Sequence, residues 1–112
     1  MNKIQIFDVA KEHGQREFNP NETLQLLNAY GYRFWSWGAN GFKNMFNKAL
    51  FFKVQGHHHK GYVLITLNAA DLYEVRLLTT TGKIKDTITD LFFDQLFDAI
   101  DAKVERIPDY TS

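Results

Sequence analysis

The chain has 112 residues, a length at which one hydrophobic core serves one domain, so we expect a single domain over residues 1–112. It contains no cysteine, which excludes disulfide bonds, thiolate metal sites and cysteine nucleophiles. Its net charge is zero and 45% of its residues are apolar, a composition that excludes a disordered, strongly charged chain.

The first ten residues place Lys3 and Asp8 among apolar side chains. They lack the uninterrupted apolar core of a signal peptide, and no later run approaches the roughly 18 apolar residues of a membrane span. We therefore expect a cytoplasmic protein without membrane association. Residues 4–9 fit neither the helical nor the strand period, so the sequence leaves their structure open.

A first helix is predicted from Pro20 to about Tyr30. Asn19 can cap it, because its side-chain oxygen can accept a hydrogen bond from a backbone N–H of the first turn. Pro20 suits the first helical position, where its missing N–H costs nothing. Gly31 is typical of the residue that follows a helix.

Residues 32–37 alternate in character and are rich in aromatic side chains, a pattern that predicts a strand. The pair Asn40-Gly41 is a strong turn signal and is expected to close that strand. Residues 42–48 contain Phe42, Met45 and Phe46 at helical spacing, but the stretch is too short to assign.

Three further strands are predicted over residues 49–55, 61–67 and 72–78, and a short edge strand over residues 83–87. In the first of these, alternation places Leu50, Phe52 and Val54 on one side. Short connections between successive strands indicate an antiparallel meander.

The last predicted helix begins near Phe92, continues to Ile107 and ends at Pro108, with residues 108–112 as a loose tail. Its apolar side chains recur at three- and four-residue spacing. The fold class expected is therefore α+β: an antiparallel meander sheet of three to five strands, with an N-terminal and a C-terminal helix packed on one face as a two-layer sandwich.

The sequence favours a non-catalytic protein without a cofactor, although it does not exclude an enzyme. No nucleophile, phosphate-loop or dinucleotide motif is present. His57 and His59 could point the same way and share a metal ion, but a zinc site needs three or four ligands and no third is nearby. Asp90, Asp94 and Asp98 at four-residue spacing are more typical of a solvated helix face than of a cation site.

Charge is unevenly distributed along the chain. No acid occurs between Glu22 and Asp71, and this interval contains five cations and ten of the seventeen aromatic residues. If one face of the sheet were left open, its rings and cations could stack unpaired bases and neutralise phosphates. The residues expected on such a face are Arg33, Trp35, Trp37, Phe51, Lys53 and Lys60. The alternative is that the same rings form the core.

The remainder of the chain, from Asp71 onward, is acidic. A basic, aromatic segment and an acidic helix in one chain favour self-association or a protein partner. The first functional hypothesis is therefore a non-catalytic protein-interaction module, and the alternative is a protein that binds single-stranded nucleic acid through an aromatic and basic sheet face.

Two stretches of the C-terminal half resemble known sequences: residues 60–75, KGYVLITLNAADLYEV, and residues 93–101, FDQLFDAID. They are similar to a set of short uncharacterised proteins carried by bacterial plasmids, phages and other mobile elements. The resemblance implies a bacterial accessory role and carries no activity, because none is known for that group.

Overall fold

The computed structural model describes residues 11–45, 47–56 and 58–104, and these form an antiparallel sheet covered by helices. The five strands lie in the order β1-β2-β3-β4-β5, so each pairs with its neighbours along the chain. The strands are β1 Asn40–Met45, β2 Ala49–Gln55, β3 Lys60–Leu67, β4 Tyr73–Leu78 and β5 Ile84–Leu91. Residues 11–13 are helical, and the helices that follow are α1 Pro20–Asn28, α2 Tyr32–Trp35 and α3 Leu96–Val104, with a 3-10 turn at Phe93–Gln95 before α3. The expectations for residues 4–9 and 108–112 lie outside the described residues.

Helix α1 begins where its capping residue predicts. The Asn19 side chain accepts a hydrogen bond from the Asn21 backbone N–H at 3.0 Å, and Pro20 occupies the first turn. Leu27 is buried, and Thr23 Oγ1 lies 3.2 Å from the hydroxyl of Tyr73 on β4. The helix therefore packs on the sheet, as expected.

The strand predicted over residues 32–37 is wrong, because this segment forms α2 and a following turn. Gly31 has a φ of 62°, which turns the chain sharply after α1. Phe34 and Trp37 are three residues apart, so one helical turn buries both on the same side. Burial of these two rings overrides the strand propensity of the segment.

Strand β1 corrects a second expectation. Asn40-Gly41 does not close a hairpin but lies within β1, where the register with β2 shifts between Asn40 and Lys43. Gly41 has a φ of 66°, a conformation that suits the extra residue of a bulge. The unassigned residues 42–45 are thereby part of an edge strand.

The two faces of the sheet are both packed, to different extents. The main core lies under the helices and includes Leu50, Phe52 and Val54, as alternation predicts. The opposite face has a smaller buried cluster that includes Phe51, Leu64 and the β4 residue Leu78. Both faces are therefore sealed at their centres, and the second face is not an open platform.

Helix α3 starts later than predicted. The Phe92 backbone N–H donates to Gln95 Oε1 at 3.0 Å, which supports the 3-10 turn that precedes the helix. Asp90 belongs to β5, where it has a φ of 58°, and Asp94 lies in the 3-10 turn. The expected stripe of Asp90, Asp94 and Asp98 on one helix face is consequently wrong. Helices α1 and α3 both contribute to the main core, so the α+β meander with helices on one face is confirmed.

Candidate protein-binding surface

Two tryptophans lie close together in the chain but in opposite environments: Trp35 is the last residue of α2, and Trp37 is in the turn that follows. Trp37 is fully buried, whereas Trp35 is 67% exposed and Tyr32 is 78% exposed. One helical turn puts Phe34 and Trp37 on the inner side and leaves Tyr32 and Trp35 on the outer side. The outer side of α2 therefore presents two large aromatic rings to solvent.

Trp37 anchors α2 to the rest of the protein. Its ring stacks on Phe97 of α3, with centroids 4.8 Å apart, and meets Phe34 edge-on at 5.1 Å. Its indole N–H donates to the buried carboxylate of Asp101 at 2.8 Å. The Gln55 backbone N–H on β2 donates to the Trp37 carbonyl at 2.7 Å. These contacts fix α2 against both α3 and the sheet.

Arg33 adds a second tie between α2 and α3. Its guanidinium lies 3.5 Å from Asp101 Oδ2 and 3.6 Å from Asp98 Oδ1. It also lies over the ring of Phe97, 5.0 Å from the centroid, where a cation is attracted by the ring quadrupole. Arg33 is therefore engaged within the protein rather than held out as a free cation.

A cavity of about 550 Å³ opens between α1, α2 and β1, and we call it the aromatic groove. Its apolar side chains are Leu24, Phe34, Ala39 and Phe42, and Trp35 forms one wall. The amide side chains of Asn21, Gln25 and Asn28 line the remaining side, along α1. The indole N–H of Trp35 donates to Asn28 Oδ1 at 3.3 Å, which orients the exposed ring. None of these lining residues carries a charge.

A second cavity of about 370 Å³ lies beside α2 and is lined by Tyr32, Arg33, Ser36 and Asp101. In contrast to the aromatic groove, it contains both a guanidinium and a carboxylate. The Ser36 hydroxyl donates to the Arg33 carbonyl at 2.7 Å, within the turn that ends α2. Because Arg33 and Asp101 already face each other, this cavity offers a neutralised pair rather than a site of one charge.

The six residues predicted for a nucleic-acid face do not share one surface. Arg33 and Trp35 lie on α2, on the helix side of the sheet, and Trp37 is buried in the core between them and the sheet. The other three residues belong to the opposite face, which carries Phe51, Lys53 and Lys60. Phe51 is only 2% exposed, since it packs on Leu64 and stacks with Tyr62 at 5.0 Å. Lys53 and Lys60 are exposed there, and the ring opposite Lys53 on β3, that of Tyr62, is half-buried against Phe51.

His59, one of the two histidines considered as metal ligands, is buried next to the start of β3. Its Nε2 lies 3.2 Å from the Tyr62 carbonyl oxygen, so Nε2–H donates to that carbonyl. Burial lowers the pKa of His59, and the positive charge of Lys85 lowers it further. The other candidate, His57, lies outside the described residues. Across residues 11–45, 47–56 and 58–104, no three His, Cys, Asp or Glu side chains cluster as metal ligands.

The sequence does not identify two residues that line the groove, Asn28 and Phe42, or Tyr32, which lines the neighbouring cavity. They come from α1, α2 and β1, and only the folded chain brings them together. One signal was present for Tyr32, because Tyr32 and Trp35 are three residues apart, as Phe34 and Trp37 are. Two such pairs in register are typical of a helical turn with one inner and one outer side.

Comparison with known proteins finds no relative of this chain. The chain matches no protein-family model, no curated protein and no solved structure. The resemblance to proteins of bacterial mobile elements therefore stays a prediction. In the described part of the chain, no helix has the length and apolar character needed to span a membrane.

Proposed function

We propose that this protein is a non-catalytic protein-interaction module and that its contact surface is the aromatic groove with Tyr32 beside it. The observation that carries the proposal is the exposed Trp35, which borders an uncharged groove although Trp37, in the turn directly after the same short helix, is completely buried. Tryptophan and tyrosine dominate the binding energy of protein interfaces, where they fill desolvated pockets.

The rigidity of α2 supports this function. Trp37, Arg33 and their partners on α3 fix the helix before any partner arrives. A side chain that is already positioned loses little conformational entropy on binding, so more of its contact energy contributes to affinity. The hydrogen bond from Trp35 to Asn28 acts in the same direction.

The chemistry of the groove favours a protein over a nucleic acid. Nucleic-acid sites combine stacking rings with cations that contact phosphates. The groove has the ring, but its lining has no cation, and Lys53 and Lys60 lie on the far face of the sheet. Arg33, which is on the same short helix as Trp35, is paired with Asp98 and Asp101.

The proposal is tested by placing a photoreactive benzophenone amino acid at position 35 of the full chain and irradiating it in a lysate of the source organism. We expect one or a few proteins to cross-link from position 35 but not from a control at position 53. The product should fall at least fivefold with Tyr32→Ala and persist with Lys60→Ala.

Two results would overturn the proposal. One is the absence of any product specific to position 35. The other is a product that disappears after nuclease treatment. In that case a single-stranded oligonucleotide should bind the chain at low salt and dissociate as salt rises, as phosphate contacts require.

A further inference from the structure

The aromatic groove borders a terminal edge of the sheet, the outer side of β1. Strand β1 is a terminal strand of the five, and five of its six residues are exposed. In the described part of the chain, no strand pairs with its outer side. A terminal strand presents a row of backbone N–H and C=O groups that can pair with an added strand.

Phe42 belongs to both the groove and this terminal edge. This residue belongs to β1, and its ring points to the helix side of the sheet, where it lies 5.2 Å from Phe52 and 6.2 Å from Phe34. A strand added beside β1 would place every second side chain on that same side. Those side chains would enter the groove next to Phe42 and Trp35.

The lining indicates the chemistry of the side chain that would enter. The apolar residues Leu24, Phe34 and Phe42 suit an aromatic or large aliphatic group. The amides of Asn21 and Gln25 can pair with the polar groups of a peptide, because each carries both a donor and an acceptor. A charged side chain would find no counter-ion among the lining residues, so desolvation would disfavour it.

We infer that the groove and β1 together bind an extended, uncharged segment of a partner protein, which adds to the sheet as a sixth strand and inserts an aromatic or large aliphatic side chain beside Trp35. This is strand addition, in which backbone pairing supplies affinity and a pocket for alternate side chains supplies specificity. The inference rests on the proposed function and specifies its partner.

The bulge in β1 limits the length of the pairing. Regular pairing with β2 covers Lys43 to Met45, while the register shifts between Asn40 and Lys43. A bulge bends the strand and interrupts the row of backbone groups. The added segment is therefore short, and the inserted side chain is expected to contribute most of the affinity.

The first experiment selects binders to the full chain from a displayed library of random 12-residue peptides. We expect enriched peptides to share a large apolar residue flanked by uncharged residues. Their affinity should fall at least tenfold with Trp35→Ala. A matched control is Phe92→Ala, which removes a similarly exposed ring away from the groove and should leave affinity within twofold.

The second experiment replaces each backbone N–H of one enriched peptide with N-methyl, one position at a time. Strand addition predicts losses of at least tenfold at alternate positions within the paired stretch, where the N–H points to β1, and losses below twofold between them. Amide hydrogen exchange should slow on β1 when the peptide binds, and it should not change on β5.

Three outcomes would overturn the inference. If no peptide is enriched on the wild-type chain relative to Trp35→Ala, the partner is not a linear segment. If N-methylation has no period of two, binding occurs without strand pairing. If the chain alone forms a dimer that Trp35→Ala abolishes, the occupant is a second copy. Specific cross-linking from position 35 would leave the proposed function standing in the first two cases.

Discussion

The two edges of the sheet differ in how they meet solvent. Strand β5 has three charged residues among eight, Lys85, Asp86 and Asp90, and its register with β4 shifts twice. Strand β1 has one charged residue among six, Lys43, and its register with β2 shifts once. Only β1 borders the aromatic groove, because α1 and α2 leave an uncharged cavity above it.

The two edges therefore differ in how accessible they are to a partner strand. Edge strands avoid unwanted pairing through charges and bulges, since a partner strand would have to desolvate the charges and follow the bend. By this criterion β5 is protected against a further strand along much of its length. In β1 the bulge protects the first half and Lys43 is the single charge, and the uncharged cavity beside this strand would stabilise an added strand. We therefore expect a partner strand to pair with the edge of β1 and the edge of β5 to stay in contact with solvent.

The largest change is expected from removing the protection of β5. The variant Lys85→Thr/Asp86→Thr/Asp90→Asn keeps a residue tolerant of positive φ at position 90 and deletes all three charges. An uncharged edge of this length can pair with other copies, so we expect association at tens of micromolar, measured by light scattering and sedimentation.

The control for this variant is Glu17→Gln/Glu22→Gln/Lys53→Thr, which removes two acids and one base from exposed positions outside β5. It changes net charge by the same amount, so it should remain as dispersed as the wild-type chain. Equal association of both triple variants would show that net charge, rather than the edge, governs solubility.

The next effect concerns the anchor of the groove. Replacing Trp37 with alanine removes a fully buried ring and leaves the Asp101 carboxylate without its indole donor. We expect a loss of about 3–5 kcal/mol in the free energy of unfolding, measured by urea denaturation. Trp35→Ala removes the same side chain from an exposed position and should change stability by less than about 0.5 kcal/mol. Similar losses for both would contradict the division between an inner and an outer face of α2.

The sheet centre was predictable from sequence, and its edges were not. Along β2, Leu50 and Phe52 face the helices, whereas Phe51 and Lys53 face the other side of the sheet. The sides that these residues take therefore follow the alternation in the sequence. Strand β1 was not assigned, because a strand that is exposed on both sides lacks the alternation that marks a half-buried strand. The same reason explains why β5 was expected to end near Thr87 but continues to Leu91.

The groove lay beyond sequence reasoning for a different reason. Local alternation in residues 32–37 satisfied the strand pattern, and nothing local revealed that Phe34 and Trp37 would be buried together. The burial of Trp37 depends on Phe97 and Asp101, which follow it by sixty or more residues along the chain. The sequence pattern selects Trp35 and Arg33 as binding candidates, but it does not show that the fold places them on the other side of the sheet from Lys53 and Lys60.

A smaller effect is expected at the β5 side from His59. Its pKa is lowered by burial and by Lys85, so the folded state favours the neutral ring. The unfolded chain takes up the proton first as pH falls below about 6.5, and stability must therefore decrease from pH 7.5 to pH 5.5. Urea unfolding at these values measures the slope.

His13 also has a lowered pKa, mainly through burial, so the test is made in a His13→Gln background. In that background His59→Gln should flatten the slope, and Lys85→Thr should make it shallower, because it removes a charge that opposes protonation. An unchanged slope in His59→Gln would assign the pH dependence to another group.

The smallest effect is expected from the ion pair that ties α3 to β5. Lys103 Nζ lies 3.0 Å from Asp86 Oδ2, and both side chains are about half exposed. The hydrogen bond from Lys103 lowers the pKa of Asp86, so the stabilisation is complete above the ordinary aspartate pKa of about 4 and is lost as pH falls through the lowered value. Solvent screening limits an exposed pair to about 0.2–1 kcal/mol.

A double-mutant cycle of Asp86→Asn and Lys103→Met should give a coupling energy in this range at pH 7, and the coupling should shrink as salt rises or as pH approaches 3. A coupling energy that does not change with salt concentration would mean that Asp86 acts through packing. The charge of Asp86 would then contribute less to the protection of β5 than the composition of the strand indicates.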